Sequence, residues 1–244
     1  MNAMSMGYDP VIFDLDGTVV DTVALIRSSF RHASEVVLGR VLPDEVLMAH
    51  VGQPLMEQME LLSPEHAQEL YDAYREHNHR VHDELIREYE GVEEALAGLR
   101  EAGKRLALVT SKSAYTTEMA FRAVGLHRYF DVIVTADDTS EHKPKPTPIL
   151  VALERLGVGP ETAIYVGDSP FDIEAGNAAG TATAAVTWGI FPRADLERSH
   201  PTFILSRPQQ IVALCVDGVP PASPRVGVEG VEGDAGDERV GRST

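Results

Sequence analysis

Apolar positions follow two rhythms along this chain. Val11-Ile12-Phe13 is a short continuous apolar run that ends on Asp14, as a buried strand entering a turn would. From about Val20 to Glu90 the apolar spacing is helical, with Pro43 and Pro64 marking helix starts, Gly52-Gln53-Pro54-Leu55 a connector, and Glu65 to Glu88 a long helix. Asp21 is placed to cap the first of these helices, and no strand is expected within the span. From Gly91 the two periods alternate. Strands are expected at 105–109, 132–134, 163–166 and 183–186, with an edge strand at 203–205. Helices are expected at 92–101, 116–124, 148–156, 172–179 and 209–216, several of them stopped by a glycine.

Strands and helices in alternation give the α/β class, read here as a three-layer, Rossmann-like core with a parallel sheet. The core is expected over 8–19 and 91–216, and the all-helical span 20–90 becomes an inserted cap. Ligands of such sheets bind beyond the carboxyl ends of the strands. Three apolar strands here end on polar groups, Asp14, Thr110 and Asp168. If those strands are neighbours, the three groups meet at one edge, beneath the helical span.

Composition narrows the partners. The net charge of −17 disfavours nucleic acid and anionic membranes, both of which attract basic surfaces. Cys215 stands alone and no apolar run approaches 18 residues, so an internal disulfide is impossible, no membrane-spanning helix is expected, and a reducing cytoplasm is the expected compartment. Residues 1–7 read as a floppy start. After Val216 the sequence turns to Gly, Pro, Val, Glu and Asp without period, an acidic tail expected to be disordered over 217–244. A monomer is the expected state.

Asp14 and Asp16 stand two residues apart before Gly17-Thr18. Two carboxylates so close repel by ~4 kcal/mol at an effective dielectric near 20. A fold that keeps them together generally places a cation between them or a proton on one. With Thr110 at a strand end, Lys143-Pro144 before a helix and Gly167-Asp168-Ser169-Pro170-Phe171-Asp172, the stretch Asp14-Leu15-Asp16-Gly17-Thr18 resembles the four motifs of the haloacid dehalogenase superfamily, in the family's order. The helical span after the first motif resembles the branch of phosphoglycolate phosphatases, pyrophosphatases and β-phosphoglucomutases.

The resemblance implies a Mg²⁺-dependent phosphatase of a small phosphorylated metabolite. Asp14 would attack phosphorus and form an aspartyl-phosphate, and Asp16 would serve as acid and then base. Mg²⁺ would be held by Asp14, the Asp16 carbonyl and Asp168, with Asp172 acting from behind. Lys143 would neutralise the phosphoryl oxygens. Thr110, with backbone amides near Leu15 and Ser111, would cradle the transferring group. Gly52, Gln53 and Lys112 would face the rest of the substrate. A phosphosugar mutase or an inorganic pyrophosphatase on the same frame are the alternatives, the mutase needing cap cations such as Arg27, Arg31, Arg40, Arg75 and Arg80. A carbon-attacking dehalogenase lacks an acid two residues after the nucleophile, and a receiver-like module would not turn over.

Two patterns carry no site. Gly98 to Lys104 has the glycine–lysine spacing of a P-loop, but Arg105 replaces the metal-binding hydroxyl and the stretch precedes a strand. His77, His79 and His82 do not share one helix face, so a solvated helix is expected rather than a zinc site.

Overall fold

A computed structural model describes residues 7–220. The expectations for 1–7 and 217–244 therefore lie, except at Gly7 and 217–220, outside the described residues. Strand β1 (Val11–Phe13) is followed by a two-residue strand β2 (Val20–Asp21). Helices α1 (Val23–Leu38), α2 (Asp44–Leu47), α3 (Leu55–Leu62) and α4 (Ala67–Leu85) come next, then a second two-residue strand, β3 (Arg87–Glu88). The alternating part runs α5 (Val92–Glu101), β4 (Leu106–Val109), α6 (Ala114–Val124), β5 (Val132–Val134), α7 (Thr147–Leu156), β6 (Ile164–Gly167), α8 (Pro170–Ala179), β7 (Ala182–Val186), α9 (Arg193–Arg198), β8 (Phe203–Leu205) and α10 (Gln209–Cys215).

Six strands form one parallel sheet in the order β5-β4-β1-β6-β7-β8. Because successive strand residues point to opposite faces, each strand feeds two cores. Val11, Phe13, Leu106, Leu108, Ile164 and Val166 pack with α5, α6 and α10 on one side. Ile12, Ala107, Val109 and Tyr165 pack with α7 and α8 on the other. A strand buried on both faces must read as an unbroken apolar run, which is how these segments read in the sequence.

The helical insertion has its own core of Ile26, Phe30, Ala33, Leu47, Val51, Met59, Leu70 and Tyr74, joined by Ile190 and Phe191 from the loop after β7. Three details differ from the sequence reading. The span 20–90 is not strand-free, since β2 and β3 pair antiparallel at its base through Val20↔Glu88 and Asp21↔Arg87. Asp21 does not cap α1. Thr22 occupies the cap position, and Asp21 accepts from the Val23 amide at 3.1 Å. The long helix expected from Glu65 begins with a 3-10 turn at Pro64–His66 and stops at Leu85, because Ile86 is extended. Helix α9 is additional. Gly98 lies inside α5, so the P-loop-like spacing has no loop.

Candidate active site

β1 lies between β4 and β6, so the polar groups at their three C-terminal ends meet. Asp14 follows β1, its amide bonded to the Val166 carbonyl at 2.9 Å. Thr110 follows β4 and bonds to Val134 in the same way, at 2.9 Å. Asp168 follows β6. One carboxylate oxygen from each of Asp14, Asp168 and Asp172 lies within 4.8 Å of the other two, and all three residues are buried.

Lys143, 2% exposed, joins this group. Its Nζ donates to Asp14 Oδ1 at 2.6 Å, to Asp172 Oδ1 at 2.7 Å and to the Tyr165 hydroxyl at 3.3 Å. Burial alone would push the lysine pKa down. The charges of Asp14 and Asp172 overcome it and hold the ammonium well above the ordinary lysine range. Asp14 moves the other way: burial lifts its carboxyl to about 7, with Lys143 opposing and Asp172 and Asp16 adding. Burial, then the charges of Asp172 and Asp14, likewise raise Asp168 well above the carboxylate range. A carboxylate cluster that resists ionisation in a dry site is one that a hard cation, with its preference for oxygen ligands, would stabilise. The donor set therefore fits Mg²⁺.

The local chain explains how each group is held. Leu15 O accepts from the Val19 and Val20 amides at 3.0 and 2.9 Å, making the tight turn after Asp14. Gly17 has φ +76, and a Cβ there would meet Asp168 Oδ2 at 2.1 Å. Only glycine fits against the acid. Asp168 is further tied by the Thr18 hydroxyl at 3.3 Å and by the Ile190 amide at 2.6 Å. Ser169, Pro170 and Asp172 start α8 as a capping box with Pro at its first turn. Asp172 thus sits at the third helical position, not at the cap. Its Oδ2 accepts from the Ser169 amide at 3.0 Å and the Ser169 hydroxyl at 2.6 Å, while Oδ1 meets Lys143. With both oxygens already engaged, Asp172 is built to orient Lys143 rather than to donate freely to an ion.

Asp16 leaves the carboxylate group and turns toward the insertion. It accepts from Thr22 at 2.7 Å and pairs with Lys112 at 3.1 Å. Lys112 was expected to face substrate; it lines the cavity, but paired to Asp16. Thr110 Oγ1 accepts from the Lys112 amide at 3.2 Å. Ser111 donates to the Gly52 carbonyl at 2.6 Å, tying the core to the helical insertion. Lys145 pairs with Glu141 at the surface, which leaves Lys143 as the lysine of the site.

Above these groups lies a cavity of about 240 Å³ that reaches into the insertion. Asp14, Asp16, Thr110, Ser111, Lys112, Asp168, Gly52 and Gln53 all line it. The sequence reading missed Gln58, Asn78 and His79 on the same wall, where Arg75, one of the cap cations it named, also stands. It also treated the histidines as solvated. His82 is only 3% exposed and pairs with Asp83, and His79 lines the cavity, because α4 turns an inner face to α1 and to the site. Tyr165, Ser169 and Thr18 were missed as supports too. Only Ser169 left a trace in sequence, a Ser-Pro-x-Asp start to a helix.

Residues 11–186 match the sequence profile of the haloacid dehalogenase-like hydrolases. The chain is 39% identical over 212 residues to pyrophosphatase PpaX of Bacillus cereus (strain AH820), spanning 87% of this chain and 98% of that protein. A solved structure from Lactobacillus plantarum, assigned as a phosphoglycolate phosphatase, superposes with a TM-score of 0.77 at 25% identity over 86% of this chain and 100% of that one. One from Thermotoga maritima, assigned as a β-phosphoglucomutase, does so with 0.69 at 28% identity, over 86% and 100%. With three of its motifs at adjacent strand ends, the fourth, Lys143, reaching in from the segment before α7, and its length matched by such relatives, the chain belongs to the haloacid dehalogenase-like hydrolase family.

Proposed function

We propose that this protein is a Mg²⁺-dependent phosphatase that hydrolyses a small phosphomonoester through an aspartyl-phosphate at Asp14. One observation carries the reading: Asp14, Asp168 and Lys143 converge in a dry pocket beneath a cavity of metabolite size. Asp14 is the nucleophile, and attack on phosphorus moves the phosphoryl group onto its carboxylate as the ester oxygen leaves. Asp16 gives a proton to that oxygen and then takes one from the water that cleaves the acyl-phosphate. Lys143, kept cationic by Asp14 and Asp172, neutralises phosphoryl oxygens in a buried site where its charge is weakly screened. Thr110 and the amides of Leu15 and Ser111 hold the transferring group. Asp14, Asp168 and the Asp16 carbonyl would hold Mg²⁺, which when bound offsets the charge of carboxylates and phosphate together. The helical insertion, 20–90, acts as a cap whose Gly52–Ser111 contact closes the site over the substrate.

A pyrophosphatase is the second reading. Curated relatives carry that name, and two cations, Lys112 and Arg75, line the cavity. The mutase reading is weaker. Of the five cap arginines it would draw on, only Arg75 lines the cavity; Arg27 and Arg31 pair with Asp44 and border an outer surface hollow with His32 and His77.

The test is phosphate release from a panel of phosphomonoesters and pyrophosphate with Mg²⁺ present. Turnover that stops in excess EDTA and returns with Mg²⁺ is expected. Turnover that persists in EDTA removes the metal from the mechanism.

A further inference from the structure

A lysine ammonium has three protons to give and no lone pair with which to accept. At Lys143 each proton has its own oxygen. Asp14 Oδ1 lies at 2.6 Å, Asp172 Oδ1 at 2.7 Å and the Tyr165 hydroxyl at 3.3 Å. Two of these acceptors are acids that the family motifs contain. The third, Tyr165, lies outside the motifs and has no part in the chemistry proposed above.

Tyr165 is fully buried in β6, where it pairs with Ile12 of β1, and its ring packs in the core shared with α7 and α8. From there its hydroxyl reaches past β1 to the carbonyl of Val109, the last residue of β4, at 3.2 Å. It also meets Asp172 Oδ1 at 3.2 Å. Burial first, then the charges of Asp172 and Asp14, hold the phenol well above its ordinary range against the pull of Lys143. The one hydroxyl proton can go to Val109 or to Asp172, and in both cases the oxygen keeps lone pairs to accept from Lys143. Tyr165 is thus a neutral acceptor whose place is fixed by the sheet.

Neutrality matters because the charges around Lys143 change during turnover. Once Asp14 carries the phosphoryl group its own carboxylate charge is gone, while Asp172 keeps its charge. Held by Asp172 alone, an ammonium on a flexible four-carbon stem could swing away from the reacting group. The bond to Tyr165 supplies a second fixed point. We infer that Tyr165 is a positioning residue for Lys143, its hydroxyl holding the third ammonium proton so that the charge stays beside Asp14 throughout phosphoryl transfer. The inference rests on the phosphatase reading. A fixed charge needs no reorganisation as the transition state forms, and a displacement of about 1 Å can cost on the order of 100-fold.

The experiment measures kcat and KM on p-nitrophenyl phosphate with Mg²⁺ for wild type and Tyr165→Phe, which removes the oxygen and keeps the ring. Tyr165→Met, equally without the oxygen, is the second variant. From the strength of a hydrogen bond to a charged group, kcat is expected to fall by about 10-fold or more, with KM within about 2-fold and Tm lowered by less than about 5 °C. This split separates positioning from packing, since a loosened core would lower Tm or the folded fraction instead. A kcat within about 2-fold of wild type overturns the inference, as does a fall in kcat accounted for by unfolded protein. The ammonium itself is followed by ¹H–¹⁵N NMR of lysine-labelled protein at neutral pH. Wild type is expected to show one ammonium signal slowed in exchange with water, assigned to Lys143 by its survival in Lys104→Arg, Lys112→Arg and Lys145→Arg proteins. Loss of the Tyr165 oxygen should shift or broaden it. No such signal in wild type, or one that the substitution leaves unchanged, overturns the inference. If wild type releases no phosphate, the phosphatase reading itself fails, and the ammonium signal still decides whether Tyr165 holds Lys143.

Discussion

Lys143 is where the chemistry of single residues is concentrated. It lies in a dry pocket, which alone would strip its proton, yet two carboxylates at 2.6 and 2.7 Å keep it charged. Its removal leaves Asp14 and Asp172 buried without their cation. Lys143→Met is expected to cost about 3–5 kcal/mol of stability, since losing one partner of a buried ion pair strands the other. Urea denaturation of the metal-free protein checks this, and a loss below 1 kcal/mol would show that the carboxylates simply take up protons instead. Asp14→Asn changes the same pocket in the opposite sense. It keeps the shape and removes a charge from a crowded acidic group, so the fold persists while the proposed nucleophile is gone. Turnover should fall by at least about 10⁴-fold, as when nucleophiles are deleted elsewhere, with an unchanged circular dichroism spectrum. Activity retained in that variant would end the assignment of Asp14.

At the scale of elements, the insertion meets the core through backbone as much as through side chains. Gly52 has φ +109, and a Cβ there would stand 2.9 Å from Ser169 Oγ and 3.2 Å from Phe171 Cδ2. Gly52→Ala therefore strains the connector and wedges the insertion away from α8 and from Ser111. A penalty of about 1–3 kcal/mol for such backbone corresponds to a loss of roughly 10–100-fold in kcat/KM. Steady-state kinetics on the preferred substrate check it, and Gly39→Ala, at a φ of +69 with open space around it, controls for strain without the wedge. Elements also divide what could be read from sequence from what could not. β1, β4 and β6 were legible because burial on both faces writes an unbroken apolar run, and the groups ending them, Asp14, Thr110 and Asp168, became a site once those strands were neighbours. β2 and β3, two residues each, are too short to show a period and exist only through each other. Helix α9 is a six-residue turn of chain with one buried residue, Leu196, and leaves little pattern. The cavity wall was illegible for a different reason. Helical spacing shows that α4 has an inner face, but not that His79 on it meets an open cavity while His82 is packed away.

The whole molecule carries −17 and still collects Asp14, Asp168 and Asp172 in one buried pocket. That arrangement ties stability to pH and to metal. Asp14 has an ordinary value of 3.8 and is lifted to about 7 by burial, against the pull of Lys143, and Asp168 is raised in the same direction, again by burial first. The folded protein therefore holds protons that the unfolded chain has released. A raised carboxyl contributes stability that is complete below its unfolded value and is lost as pH climbs through its folded value. The window for Asp14 runs from 3.8 to about 7. From pH 5.5 to 8 the loss is about 2 kcal/mol for this group alone, or roughly 4–8 °C in Tm for a chain of this size. Asp9 and Asp138 are shifted down by Arg105, Arg155 and their hydrogen bonds despite burial, so they act below pH 4 and leave this window untouched. A divalent ion competes with the same protons and stabilises only the folded state, by RT ln(1 + [Mg²⁺]/Kd). Mg²⁺ should thus raise Tm more at pH 8 than at pH 5.5, and Asp168→Asn should flatten that difference. Thermal unfolding at both pH values, with EDTA and with Mg²⁺, measures it directly. An equal Mg²⁺ increment at the two pH values would mean that the ion does not bind where Asp14 and Asp168 meet.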